Sequence, residues 1–283
     1  MTMEYDTSLE SLIHPGTRPT VFTAGAQPSL QGLACEAARL AYLQAETNLA
    51  ERARLDDALD RVGFEPSSCL FDVRTGGYAY CSRRKSGGLA LIAFRGTEPG
   101  DLRDFMTDLQ VVPAPWRGVL VHAGFLAGAQ ALGPAGKDWV GRHRTPDDGL
   151  LLCGHSLGAA LATLFALMVD ATKVITIGSP RVGDAAFSAA LPAGVVTRIA
   201  NCADVVTALP PELAVYTHAG QLLYIDKVAA LHAAPDPFFM LKDQAQAQAE
   251  FAWRNLGAAP LGLAPARALL DHSPINYARA FFA

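Results

Sequence analysis

The sequence predicts an α/β fold, a mostly parallel central sheet flanked by helices, and three observations predict it. Short continuous apolar runs recur at 89–94, 150–153, 173–177 and 195–201, the pattern of strands covered on both faces. Segments of helical period separate them, and that alternation builds parallel sheets. The tightest join is the stretch from Gly149 to Met168, GLLLCGHSLGAALATLFALM, which reads as buried strand, sharp turn and helix.

The elements follow in order. Residues 1–27 scatter Pro, Gly and Thr without periodicity and are expected to form an arm laid over the surface. From Pro28 the pattern turns helical, with Ser29 as cap and Leu33, Ala37, Leu40 and Ala41 at helical spacing. A charged helix is expected over 48–61, ending at Gly63. Strands at 69–73 and 78–82 are joined by Thr75-Gly76-Gly77, a hairpin signal. The run LALIAF at 89–94 leads directly into Arg95-Gly96-Thr97. Segment 99–112 is amphipathic, with Leu102, Phe105, Met106 and Leu109 on one face and Asp101, Arg103, Asp104 and Asp108 on the other. Pro113, Pro115 and Trp116 are expected to end it, and Val121-His122-Ala123-Gly124-Phe125 to open the next helix. The strand at 195–201 delivers Cys202-Ala203-Asp204, and 216–226 suggests a hairpin-like edge. Residues 227–270 are poorly patterned, and Asp271-His272-Ser273-Pro274-Ile275-Asn276-Tyr277 leads into a short last helix.

The chemistry concentrates at Gly154-His155-Ser156-Leu157-Gly158. A G-x-S-x-G set between a strand and a helix forces its serine into a strained turn and lifts the hydroxyl clear of the sheet. A serine hydroxyl needs an imidazole to take its proton and a carboxylate to orient that imidazole. Serine enzymes built on such an elbow place the acid and then the histidine downstream. That order discards His14, His122, His143 and His155 and leaves His218, His232 and His272. The acid belongs on a loop just after a strand, where open α/β sheets place their sites; Asp204 fits, and Asp170, Asp184, Asp226 and Asp236 do not. His272, on a loop before the last helix, is the choice for the base, with His218 as the competitor. The oxyanion needs fixed donors: the backbone N–H of Leu157, after the nucleophile, and Thr97, on the loop after LALIAF, with its N–H and hydroxyl.

Read together and in order, LALIAFRGT, VHAGF, GHSLGAALA, TIGSPRVGD, RIANCADVVTALP and DHSPINY resemble the class 3 (fungal-type) lipase family. The likeness runs from about Leu89 to Tyr277, and ARLAYL is similar to that family's first helix. It implies an α/β-hydrolase fold, Ser156, Asp204 and His272 as triad, and Thr97 and Leu157 as oxyanion donors. It also implies carboxylic-ester substrates, often acylglycerols or phospholipids, and a lid at 99–112 carrying Leu102, Phe105, Met106 and Leu109 to a transient contact with a lipid surface. The secreted family members have signal peptides and disulfides, which are not visible here. The 227–270 stretch is longer and more apolar than the family's usual connection to the histidine, and is a second candidate cap.

The resulting expectation is one α/β-hydrolase domain over 1–283 that cleaves carboxylic esters through an acyl-enzyme. An acyltransferase with the same triad is the alternative, followed by a binding module on the same scaffold. A net charge of −4 without basic runs gives no case for nucleic acid, and no apolar run reaches the length of a bilayer span. Five scattered cysteines, without CxxC or paired Cys/His spacing, argue against a metal site, and the chemistry asks for no cofactor. The acidic N-terminal stretch does not read as a signal peptide, so the default compartment is the cytoplasm, with export by a signal-independent route as the alternative.

Overall fold

The computed structural model describes residues 3–97, 112–212, 215–255 and 266–282. Leu102, Phe105, Met106 and Leu109, the expected lid face, lie outside the described residues, as do residues 256–265 of the second candidate cap.

The chain begins with a short helix α1 (Leu9–Ile13) and a 3-10 turn at Pro15–Thr17. Helix α2 (Leu30–Leu40) starts where Ser29 accepts the Gly32 amide, and α3 (Leu49–Arg61) where the Asn48 side chain accepts the amides of Ala50 and Glu51. Strands β1 (Ser68–Asp72), β2 (Gly77–Arg83) and β3 (Leu89–Phe94) follow. Strands β4 (Pro113–Trp116) and β5 (Val119–His122) form a separate two-stranded sheet. Helix α4 (Ala123–His143), β6 (Gly149–His155), α5 (Leu157–Phe165), β7 (Lys173–Ile177), α6 (Ala185–Ala190) and β8 (Val196–Asn201) make the alternating middle. Strands β9 (Gln221–Ile225) and β10 (Leu231–Ala233), then helices α7 (Pro237–Arg254), α8 (Arg267–Leu270) and α9 (Pro274–Ala278), complete the described chain.

Among the described residues the main sheet has eight strands in the order β1-β2-β3-β6-β7-β8-β9-β10. From β3 to β9 neighbours are parallel, while β1, β2 and β10 join antiparallel at the edges. The central strands read as unbroken apolar runs because both their faces are covered. On one face α2 and α3 bring Leu33, Leu40, Leu55 and Leu59 against Leu91, Leu151, Cys153 and Ile175. On the other, α4 and α5 bring Phe125, Leu132, Leu161 and Phe165 against Ile92, Leu150, Leu152 and Val174.

Four expectations are corrected. Residues 1–27 are not a featureless arm, for Ser11, Leu12 and Phe22 are buried. The buried Glu36–Arg39 pair holds that segment: Arg39 donates to the carbonyls of Pro15 and Arg18, and Glu36 accepts from Thr20 and Val21. Pro113, Pro115 and Trp116 do not end a helix but form β4, paired to β5 across Arg117-Gly118. Both turn residues have positive φ, +51° and +85°, the backbone of a two-residue hairpin. The edge at 216–226 is not a hairpin in itself; β9 runs parallel to β8 and the hairpin is β9–β10. The poorly patterned 227–270 holds the 18-residue helix α7, capped by Asp236 with Pro237 in its first turn. Cys202 lies just past β8, as the end of the 195–201 run implied, at φ +36°.

Candidate active site

Strand β6 ends at His155 and α5 begins at Leu157, so Ser156 alone makes the turn. It does so at φ +58°, a left-handed conformation strained for a residue with a Cβ. The glycines around it are required by contact. A Cβ on Gly154 would sit 2.3 Å from the Gly158 carbonyl, and one on Gly158 would sit 2.2 Å from the Phe94 oxygen. The Ser156 amide donates to the Ile177 carbonyl at 3.0 Å, which fixes the turn to β7.

Ser156, His272 and Asp204 meet at this turn. The Ser156 hydroxyl donates to His272 Nε2 at 3.0 Å, and His272 Nδ1–H donates to Asp204 Oδ2 at 2.9 Å and Oδ1 at 3.0 Å. All three are buried, with exposures of 1%, 1% and 3%. Asp204 stands just beyond the end of β8 and caps the 3-10 turn Val205–Ala208, its Oδ1 accepting the Val206 amide at 2.9 Å. Gly178, at the end of β7, leaves room for the pair: a Cβ there would lie 2.9 Å from Asp204 Oδ2 and 3.1 Å from His272 Nδ1.

The competitor His218 is elsewhere, with Nε2–H donating to the Thr207 carbonyl at 2.9 Å. Burial, and then the Arg198 and Arg181 guanidiniums, push its pKa down to about 3. His232 pairs with Asp226 at 2.9 Å, also away from Ser156.

Sequence reasoning missed the residues that hold the three in place. Tyr277 O–H donates to Asp204 Oδ2 at 2.6 Å and accepts the Asn201 amide at 3.1 Å. Burial first, and the Asp204 charge second, raise its pKa well above the usual phenol value, so it remains a donor. His155 accepts from the Tyr42 hydroxyl at Nδ1 (2.8 Å) and donates from Nε2 to the His272 carbonyl (2.7 Å). Burial, then the His272 charge, hold its pKa well below the imidazole range, which keeps it neutral and fixes that tautomer. Asp271 accepts the Ala203 amide at 3.0 Å, so one carboxylate registers the segment before His272 against the segment before Asp204. The same carboxylate accepts from Arg267 and from Tyr5, and Ser11 and Asp6 of the N-terminal arm bond Ser273 and Asn276. The motif DHSPINY, with its acid beside the histidine and its tyrosine, was the available signal for Asp271 and Tyr277. Those of the arm, more than 260 residues away in sequence, left none.

The expected oxyanion donors flank the serine. Leu157 is the first residue of α5, and a helix leaves that amide without an intrahelical acceptor. Thr97 follows β3, and its Oγ1 is buried with no hydrogen-bond partner among the described residues. Both are the kind of donor a developing negative charge can take up. The crevice over Ser156 has a volume of about 10 Å³, room for one water at most, and Leu12, Tyr42 and Pro274 wall it. A second cavity of about 530 Å³ is bordered by Thr97, Leu157 and Leu161. No helix among the described residues is long and apolar enough to cross a membrane.

The family model Lipase (class 3) matches residues 91–214. A Rhizomucor miehei lipase in complex with its propeptide aligns at 28% identity and TM-score 0.51, covering 60% of this chain and 58% of that one. This chain therefore spans less than two thirds of the length of that protein. The Rhizomucor miehei triacylglyceride lipase aligns at 25% identity and TM-score 0.54, covering 69% and 77%. A lipase from Rhizopus microsporus var. chinensis, at 22% identity and TM-score 0.57 over 74% and 80%, shares the fold. The matched residues run from the β3 strand through the elbow to the loop beyond Asp204, and over that core the chain is similar to the class 3 lipases and shares the α/β-hydrolase fold of these neighbours.

Proposed function

We propose that this protein is a serine hydrolase of carboxylic esters, with Ser156 as nucleophile, His272 as general base and acid, and Asp204 as the group that orients it. The observation that carries the reading is the unbroken chain from Ser156 Oγ through His272 to Asp204, at 3.0 and 2.9 Å, on a serine held at positive φ. As Oγ attacks the ester carbonyl carbon, its proton passes to His272 Nε2 and the carbonyl oxygen becomes an oxyanion. Thr97 and the Leu157 amide stabilise that oxyanion, and Asp204 stabilises the imidazolium. Collapse breaks the C–O bond to the alcohol, which leaves with the proton from Nε2. Water, deprotonated by the same nitrogen, then attacks the acyl-enzyme and releases the acid.

Within that reaction we place acylglycerols and related lipid esters among the substrates. The support is the match of residues 91–214 to the class 3 lipase model together with the Rhizomucor neighbour's description as a triacylglyceride lipase. The crevice of about 10 Å³ admits no acyl group as it stands, so a wall residue must move for substrate to reach Ser156. The test is turnover of a short-chain chromogenic ester by the wild type and by Ser156→Ala. Activity that survives the substitution refutes the assignment.

A further inference from the structure

We propose that the cavity beside the oxyanion donors is a subsite for a free hydroxyl group on the ester, and that Glu46 recognises it. The inference rests on the ester-hydrolase reading above and narrows its substrate class.

The cavity measures about 530 Å³, within the range of small-molecule sites. Its lining includes the apolar side chains Phe71, Leu157 and Leu161, and Glu46 and Arg95 are the only charged residues among the described lining. Glu46 lies in the loop between α2 and α3, with 5% of its side chain exposed. One carboxylate oxygen accepts Arg95 Nη1 at 2.7 Å, while Oε2 is buried and has no hydrogen-bond partner among the described residues. Arg95 is fixed in turn over the Tyr78 ring, 4.5 Å from its centroid.

The pairing selects among ligand chemistries. A buried carboxylate oxygen without a donor is costly, so the site favours a group that supplies one. Both signs of charge border the cavity, so either charged headgroup would meet one of them as a like charge: a phosphate meets Glu46, a quaternary ammonium meets Arg95. A plain alkyl chain fills the apolar wall and leaves Oε2 unsatisfied. A neutral hydroxyl donates to Oε2 once Glu46, which lines the cavity, turns that buried oxygen outward, while its carbon skeleton packs on Leu157, Leu161 and Phe71. Thr97 borders both this cavity and the crevice over Ser156, so an ester held by the oxyanion donors has the subsite next to it. The hydroxyl can belong to the alcohol part, as in a partial ester of a polyol, or to the acyl part, as in a hydroxy acid.

Two substrate pairs separate these sources: glycerol monobutyrate against propyl butyrate, and ethyl 3-hydroxybutyrate against ethyl butyrate, all below their solubility limits. The wild type is expected to prefer the hydroxylated member of one pair by about tenfold to a hundredfold in kcat/KM, the range of a hydrogen bond to a charged group. Glu46→Gln keeps an oxygen for Arg95 and turns the free oxygen into an amide that cannot accept. In that variant, checked for folding by its melting temperature, the preference should fall below threefold. If Glu46→Gln does not fold, glycerol must inhibit wild-type hydrolysis of propyl butyrate at lower concentration than 1-propanol does. Equal kcat/KM within both pairs overturns the subsite and leaves the hydrolase reading standing, and so does an unchanged preference in folded Glu46→Gln. Absence of any ester turnover overturns the hydrolase reading, and the subsite with it.

Discussion

Replacing Thr97 by valine tests the oxyanion loop with opposite expectations for activity and stability. Valine keeps the shape of threonine and the backbone N–H but exchanges the hydroxyl for a methyl group. In the resting protein Thr97 Oγ1 is buried without a partner among the described residues, so no hydrogen bond to them is lost there. A buried unpaired polar group costs about 1–3 kcal/mol, and its removal is neutral or stabilising. For a chain of this size each kcal/mol corresponds to about 2–4 °C, so the melting temperature should stay level or rise by a few degrees. Activity should move the other way. An oxyanion donor contributes about 2.7–4 kcal/mol in the transition state. The remaining amides take up part of that, which gives a fall in kcat of about tenfold to a thousandfold. KM should hardly change, because this bond strengthens only as charge develops on the carbonyl oxygen. The assay is initial-rate kinetics on a soluble short-chain ester beside a thermal melt of the same preparation. An unchanged kcat, or a rise in KM alone, would refute the reasoning.

Three other substitutions probe the surroundings. Gly178→Ala places a methyl 2.9 Å from Asp204 Oδ2 at a φ of +58°, so kcat should drop at least tenfold with the protein still folded; full activity would show that the triad is not packed as described. Tyr277→Phe removes a buried donor to Asp204 and an acceptor for the Asn201 amide, and should lower stability by about 1.5–3 kcal/mol in denaturant unfolding; no loss would mean that neither bond matters. Asp148 accepts from Arg83, Thr145 and Gly88, and these bonds, Arg83 foremost, hold its carboxyl well below the usual range. A depressed carboxylate stabilises the fold fully above the unfolded-state pKa of about 3.9 and loses that contribution as the pH falls through its folded value. The stability difference between wild type and Asp148→Asn should therefore be constant above about pH 5 and shrink below about pH 4; a difference that grows in acid contradicts this.

The parts of this fold legible in the sequence are those where local pattern and burial coincide. LALIAF and the 173–177 run read as strands because helices cover both their faces, and the elbow was legible because its glycines are required by contacts within one strand–turn–helix unit. Segments whose pattern answers to something other than burial were misread. In α7 only Asp243 and Ala247 are buried, while Phe238, Leu241 and Trp253 face solvent, so its apolar residues trace no core-facing stripe. The prolines of β4 read as helix breakers, although a short edge hairpin tolerates them. For the site, strand ends and chain order pointed to Ser156, Asp204 and His272, which the structure brings together. Tyr42, His155 and Tyr5 act through contacts more than a hundred residues apart in sequence, which no local period encodes.

The central claim is that Ser156 is a nucleophile activated by His272. The most direct measurement is covalent labelling with a fluorophosphonate, which traps an activated serine, followed by mass spectrometry of the intact protein and of its peptides. The account predicts one adduct per chain, on the peptide that contains Ser156. Labelling should vanish in Ser156→Ala, slow by several orders of magnitude in His272→Ala, and continue in His218→Ala. An adduct on another residue, or labelling lost in His218→Ala while His272→Ala still reacts at the wild-type rate, would contradict it.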